Sequence, residues 1–308
     1  MFIVCGEALM DVFATADTPT GTLMDARIGG SPLNVAIGLA RLAQPVAFLG
    51  ALSTGFLGDR LARALAEEGV SDQCLARIDA PTTLGLVGLD ARGVPSYAFY
   101  GHRCADRLLP LSVLDQVPAD AQALHFGSYA MVVEPVASTQ RALVERLAGQ
   151  VLVAYDPNIR LNVEPDLQRW RDTLAWMLPR THLLKISDED LGLLFPGQAP
   201  EALAAAWLQA GVEAVVLTRG GEGATAWTAT HRVDVPGRAV QVVDTVGAGD
   251  TFQAALLTWL AEHGRLRPGA LTSLDADAWR AALAFAAGAA AITCSRRGAD
   301  LPRRAELT

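Results

Sequence analysis

VLVAYD (151–156), HLLKI (182–186) and AVVLT (214–218) are three short apolar runs, separated by alanine-rich segments with helical patterning. Runs of this length without polar alternation suit strands buried on both faces. Strands that alternate with helices predict an α/β fold, a central, mainly parallel sheet flanked by helices. Upstream, the opening FIVCG reads as a further short buried strand ended by Gly6. Downstream, helices are expected from about Thr251 and from Trp279. The alanine-rich stretch Leu283 to Ile292 is too short for a membrane span and is expected as a core helix.

Two stretches interrupt this pattern. Residues 12–28 read as two short strands around the turn Thr18-Pro19-Thr20-Gly21, and TTLGLVGLD (82–90) and PSYAFY (95–100) read as a hairpin around Ala91-Arg92-Gly93. Both excursions leave the same sheet edge, so they are expected to pair as a small β-sheet lid (about 12–28 and 82–100) on one domain, 1–308.

The composition narrows the function. With 51% apolar and 19% charged residues, the 308-residue chain is not a disordered one. A net charge of −8 argues against a nucleic-acid partner. Cys5, Cys74, Cys104 and Cys294 are scattered, with neither zinc-ligand spacing nor a disulfide framework, which points to a reducing, cytoplasmic setting. The opening MFIVCGE has no basic segment and too short an apolar run for a secretory signal.

One segment carries chemistry. Gln241-Val242-Val243 is strand-like and TFQAALLTWLAEHG (251–264) is an amphipathic helix, so Gly247 and Gly249 are expected at a strand-to-helix turn. Small residues there let backbone amides converge on an anion such as a phosphoryl group. Asp250 then stands at the helix start, either as a general base or as an ordinary N-cap on a tight turn. No GxxxxGK[ST] is present, which excludes a P-loop enzyme, and a missing third glycine weighs against a dehydrogenase.

The second feature is GGSPLN (29–34). Ser31 is expected as an N-cap with Pro32 at the first helical position, and the helix should run to about Ala43 with Val35, Leu39 and Leu42 on one face. Gly29 and Gly30 permit close approach of a ligand, and Asn34 with Asp11 could hold several hydroxyls; alternatively this is a plain helix entry with a surface asparagine.

Taken in order, GGSPLN with VAIGLARL, DPNIRL (156–161), KISDED (185–190) and DTVGAGDTF (244–252) resemble the signatures of the PfkB (ribokinase-like) carbohydrate kinases, and of fructokinases among them. Phe99-Tyr100 with Ala105-Asp106, and His125-Phe126-Gly127-Ser128 with Glu134-Pro135, resemble fructokinase segments too. The resemblance implies a ribokinase-like fold and ATP-dependent phosphorylation of a sugar. It makes Asp250 the base and the amides of Gly247, Ala248 and Gly249 the anion hole, with Arg160 bracing the phosphates. It places Asp11, Gly29, Gly30 and Asn34 on the sugar, with Tyr100 and Arg103 at the lid's sugar end. It places Asn158, Ser187, Thr218, Gly220 and Gly223 on the nucleotide, although an Asp-Pro-Asn turn needs no ligand. Mg²⁺ is implied with ATP, Asp190 on its side, and K⁺ near Asp244.

Several positions depart from the pattern: Ala43, Ser53, Gly55 and Gln253-Ala254-Ala255, none of them chemical, and Gly101, where many relatives have arginine. D-fructose is the expected acceptor; 2-keto-3-deoxygluconate would want a cation where Gly101 stands, and a riboside is a third candidate. A non-catalytic sugar or nucleotide sensor is the alternative of another class. The exposed lid edges suggest a homodimer.

Overall fold

The computed structural model describes residues 1–89 and 95–307. Its strands are β1 (Phe2–Cys5), β2 (Leu9–Thr18), β3 (Gly21–Gly29), β4 (Val46–Ser53), β5 (Leu75–Ile78), β6 (Leu84–Leu89), β7 (Pro95–Tyr100), β8 (Ala123–Gly127), β9 (Leu152–Asp156), β10 (Leu183–Ser187), β11 (Ala214–Thr218), β12 (Ala224–Trp227) and β13 (Arg232–Val235). The helices are α1 (Ser31–Arg41), α2 (Phe56–Glu67), α3 (Val136–Leu147), α4 (Leu167–Met177), α5 (Asp188–Leu194), α6 (Pro200–Gln209), α7 (Ala248–Glu262) and α8 (Ala276–Cys294).

Nine strands form one sheet in the order β13-β12-β11-β10-β9-β8-β1-β4-β5. The pairs from β11 through to β5 are parallel, and β12 and β13 add an antiparallel edge. The three runs that decide the fold are β9, β10 and β11, side by side. Because side chains alternate along a strand, the sheet feeds two cores. Phe2 and Val4 of β1 pack into the layer that includes α1, α7 and α8, whereas Ile3 and Cys5 pack into the layer that includes α3, α4 and α6.

The excursions pair as expected, in a separate four-stranded sheet of order β3-β2-β6-β7. The hairpin turn Ala91-Arg92-Gly93 lies outside the described residues. α8 contains the stretch from Leu283 to Ile292 and is a core helix; among the described residues no helix is long and apolar enough to cross a membrane.

Three local expectations are corrected. Gly30, with φ 110°, is the residue that caps α1, and Ser31 is its first helical residue, its hydroxyl turned away from the local backbone. Gln241 to Val243 form no strand: they are exposed, and the Val243 N–H donates 2.8 Å to the carbonyl of Cys294 at the end of α8. The sheet ends at β13 without adding them. α7 begins at Ala248, a turn's start earlier than Thr251, because the glycines at 247 and 249 obscure its first turn.

α1 crosses α7 closely. A Cβ on Gly38 would stand 2.8 Å from the Ala254 Cβ and 2.6 Å from a Leu301 methyl, so glycine there sets the separation of the helices. Their N-termini consequently meet above the carboxyl ends of the parallel strands, the edge at which open α/β sheets bind ligands.

Candidate active site

Ser31 and Asn34, both in the first turn of α1, converge on Asp250 of α7. The Ser31 hydroxyl donates to Oδ1 at 2.6 Å and Asn34 Nδ2 donates to Oδ2 at 2.8 Å. Asp250 is therefore not the N-cap of its helix; Gly247 is, in the left-handed region with φ 79°. That position excludes a side chain twice over, since a Cβ would stand 2.7 Å from the Ala299 Cβ.

Capping by glycine leaves the first N–H groups of α7 without a side-chain acceptor. The N–H groups of Gly247, Gly249 and Asp250 have no acceptor among the described residues, whereas that of Ala248 turns back to the Thr245 carbonyl at 3.2 Å. Free amides at the positive end of a helix dipole, beside a carboxylate, make a site able to hold an anion and remove a proton.

These groups open into a cavity of about 660 Å³. Asp11, Gly30, Asn34, Asn158, Arg160, Ser187, Asp190, Thr218, Gly220, Gly223 and residues 247–250 all line it. Gly29 and Asp244 line a smaller neighbouring cavity of about 200 Å³, shared with Asp11 and Asn34. Gly29 acts through space: any side chain there, or at Gly85 of β6, would collide with the Asp11 carboxylate, which sits in the slot between them. Burial, with Asp250 adding to it and Arg160 opposing, pushes Asp11 up to about 6.

Tyr100 and Arg103 are not brought to the cavity. Phe99 lines it from β7, so alternation turns Tyr100 outward, 60% exposed. Arg103 lies beyond the strand in a tight turn, φ 54°, and is exposed. The space an arginine at Gly101 would need holds the guanidinium of Arg107, which lies 5.5 Å over the Tyr129 ring.

Asn158 takes a left-handed turn, φ 42°, which carries the chain to Arg160. The Ile159 N–H donates to Asp190 Oδ1 at 3.0 Å, and Ser187 caps α5 by accepting from the Asp190 N–H at 3.0 Å. Asp244 accepts from the N–H groups of Val246 and Gly298 at 3.1 and 2.8 Å, tying the loop before α7 to the segment after α8. Val240, Val242, Val246, Ala287, Ala290 and Ala291 give the cavity apolar lining in addition to the glycines at 220 and 223.

Sequence reasoning missed several lining residues. Glu7 follows β1 and is buried; desolvation pushes its carboxyl up to about 8, against the opposing pull of Ser128 and Arg160. Lys185 is buried and donates 2.7 Å to Asp156 Oδ2. A charged residue inside an apolar strand was the available signal for Lys185. No local signal marked Ser31 or Gly85, whose partners lie far away in the chain.

The model of the pfkB family carbohydrate kinases matches residues 1–305. A fructokinase of Rhizobium leguminosarum bv. trifolii is 35% identical over 308 residues, covering 100% of this chain and 92% of that enzyme. The crystal structure of a Xylella fastidiosa fructokinase with bound ATP superposes with a TM-score of 0.87 at 28% identity, covering 99% of this chain and 96% of that one. A Vibrio cholerae O395 fructokinase, in a form with bound fructose, ADP and calcium, gives a TM-score of 0.81 at 27% identity, covering 99% and 97%. With a ribokinase-like fold and a family match over almost its whole length, the chain belongs to the pfkB family of carbohydrate kinases and is a fructokinase-like sugar kinase.

Proposed function

We propose that the chain transfers the γ-phosphoryl group of ATP to D-fructose, releasing fructose 6-phosphate and ADP. The observation that carries this reading is the pairing of the Asp250 carboxylate with free amides at the start of α7, at the centre of a cavity with Asp11 at one end. Asp250 takes the proton of the attacking hydroxyl, whose oxygen bonds to phosphorus as the bond to the ADP oxygen breaks. Ser31 and Asn34 hold the carboxylate in line before the sugar arrives. The amides of Gly247 to Asp250 hold the phosphoryl oxygens, with Ala248 exchanging the Thr245 carbonyl for the anion. Arg160 braces the phosphates from the opposite wall, with Asn158 and Ser187 beside it.

Asp11, Gly30 and Asn34 take the sugar, and Thr218, Gly220 and Gly223 take the nucleotide against the valine and alanine wall. The lid closes the sugar end through Phe99, keeping out water that would otherwise hydrolyse ATP. Magnesium belongs on the side of Asp190, a cavity-lining residue whose second carboxyl oxygen has no hydrogen-bond partner among the described residues; bound with ATP it would supply charge neutralisation. Asp244 makes no ion pair among the described residues, which supports a potassium ion near its loop; a Vibrio cholerae relative is described in a potassium-bound form. A homodimer through the lid is supported by Leu23 and Met24, 58% and 54% exposed on the edge strand β3.

The acceptor is tested by ADP release with ATP and a panel of fructose, 2-keto-3-deoxygluconate, ribosides and other sugars. Fructose should give the highest kcat/KM. A carboxylate-bearing sugar should be poor, because Arg107 stands outside the cavity lining. Asp250→Asn should fold normally and lose at least ~10²-fold in kcat, the usual contribution of a general base. Near-normal turnover in that variant would sink the mechanism, and sugar binding without ADP release would favour a sensor.

A further inference from the structure

The face of the sheet beneath α7 is apolar along most of its length. Phe2, Ala123, Leu152, Leu183 and Ala214 pack there at the amino ends of β1, β8, β9, β10 and β11. At the carboxyl ends, the same alternating positions become His125, Asp156, Lys185 with Ser187, and Thr218. The parallel register that sets Leu183 beside Ala154 and Leu184 beside Tyr155 carries Lys185 to Asp156. Both side chains are almost fully buried, 5% and 4% exposed, and they form an ion pair of 2.7 Å.

Such a pair is a poor stabilising device. Desolvation of two charges offsets most of their attraction, and an apolar pair of similar volume is commonly as stable or more so. The pair is also incompletely satisfied. Asp156 Oδ1 is buried without a hydrogen-bond partner, and only one of the three ammonium protons of Lys185 finds an acceptor among the described residues. The rest of the ammonium faces the cavity. Lys185 is one of its lining residues, and a Cβ on Gly249 would stand 3.2 Å from Nζ. Glycine at 249 leaves the ammonium room beside the first turn of α7, and a Cβ there would crowd it.

We propose that Lys185 is a further catalytic residue, its ammonium donating a hydrogen bond to the phosphoryl group in flight from beneath Gly249, while Asp156 holds it in position. This rests on the phosphoryl-transfer reading of the site and adds a full charge to the partial charges of the amides. The balance of the reaction is unchanged: Asp250 receives the hydroxyl proton, ADP carries away the electron pair of the broken bond, and Lys185 stays protonated throughout. Burial pulls the ammonium towards neutrality, but Asp156, Asp250 and Asp190 outweigh it. His125 on the adjoining strand, driven down to about 3 by burial with Lys185 adding to it, stays neutral and does not compete as a cation. A buried, fixed cation aimed at developing negative charge needs no reorganisation during the reaction.

The test uses the full-length protein with ATP, magnesium and the best sugar of the panel. Lys185→Met should lower kcat by about 10²- to 10³-fold, the usual loss for one such donor, with KM for sugar and ATP within a few-fold of wild type. It should lose a similar factor in affinity for ADP with aluminium fluoride, a mimic of the phosphoryl group in flight, while binding of a non-hydrolysable ATP analogue is kept. A purely structural role is separated by the double variant Asp156→Leu with Lys185→Met, which replaces the ion pair by an apolar one. It should melt at or above the wild-type temperature and still lack turnover and aluminium fluoride tightening. Recovery of kcat to within about threefold of wild type in the stable double variant, or undiminished aluminium fluoride affinity in Lys185→Met, would overturn the proposal. A wild type that releases no ADP with any sugar would instead refute the parent reading, and this one with it.

Discussion

Glu7 offers a measurement in which sign and size both follow from its surroundings. The side chain is 1% exposed, one carboxyl oxygen is buried without a partner, and desolvation raises the group from its ordinary value of 4.5 to about 8. Between those values the folded protein holds a proton that the unfolded chain has lost, so stability falls as pH rises. The contribution is fully present below about pH 4.5 and is lost as the pH climbs through about 8. Holding the proton across one pH unit is worth ~1.4 kcal/mol, so the limit is about 5 kcal/mol, with roughly 3 already lost at pH 7.

Glu7→Gln keeps the shape and removes the ionisation. Asp11 and Asp156, each pushed up to about 6 chiefly by burial, also weaken the fold as pH rises, but equally in both proteins. The difference between variant and wild type therefore isolates Glu7. Urea unfolding at pH 5, 6, 7 and 8 should show Glu7→Gln gaining on wild type by about 1 kcal/mol per pH unit. Activity should follow the same group: an ionised Glu7 adds negative charge near Arg160, so kcat/KM for ATP should decline in wild type above pH 8 and decline less in the variant. Parallel stability curves would show that Glu7 is charged in the folded protein, which would refute the reasoning.

Asp11→Asn should raise KM for the sugar about tenfold or more with KM for ATP nearly unchanged if Asp11 holds the sugar as proposed, its carboxylate being fixed between Gly29 and Gly85 at the cavity wall. Gly247→Ala should lower kcat at least ~10-fold, because a left-handed cap costs about 1 kcal/mol with a Cβ and the contact with Ala299 pushes the free amides off the anion; unchanged kcat would remove Gly247 from the anion hole. Leu33→Ala, at a position with no exposure between α1 and the sheet, should lower the unfolding free energy by about 2–5 kcal/mol in denaturant titration without moving either KM.

The parts of this molecule legible in the sequence are those whose signal is local. β9, β10 and β11 are continuous apolar runs because both their faces are covered, and composition alone announces that. The glycines of DTVGAGD mark a helix start because no other residue tolerates the cap at 247. Signals fail where the deciding partner is distant. Ser31 carries every local feature of an N-cap, yet its hydroxyl serves Asp250, 219 positions away. Val242 and Val243 have strand composition, but Val243 bonds to the end of α8 and Val242 lines the cavity. Resemblance of the Phe99-Tyr100 pair does not say which of the two faces the cavity; alternation gives that place to Phe99 and turns Tyr100 outward. Asp11 is a polar candidate in the sequence, but the glycine at 85 that makes room for its carboxylate carries no mark at all.

The ionisable residues between sheet and cavity obey one spatial rule. Glu7, Asp156 and Lys185 all sit at or just beyond the carboxyl ends of parallel strands, and each is buried at a position where an apolar side chain would pack more cheaply. A parallel sheet gathers these ends on one edge, so the unfavourable groups share one low-dielectric volume beside the cavity. On the proposed role of Lys185, the buried ammonium lowers stability in the absence of substrate and becomes favourable when phosphate arrives, whereas an ionised Glu7 would oppose the anion. Replacing the Lys185–Asp156 pair as a whole by apolar residues should therefore raise the melting temperature and lower kcat together, whereas at the amino ends, around Phe2 and Leu183, truncation should lower the melting temperature and leave kcat alone. The opposition of the two ends of the same strands is the physical division between core and active site in this kinase.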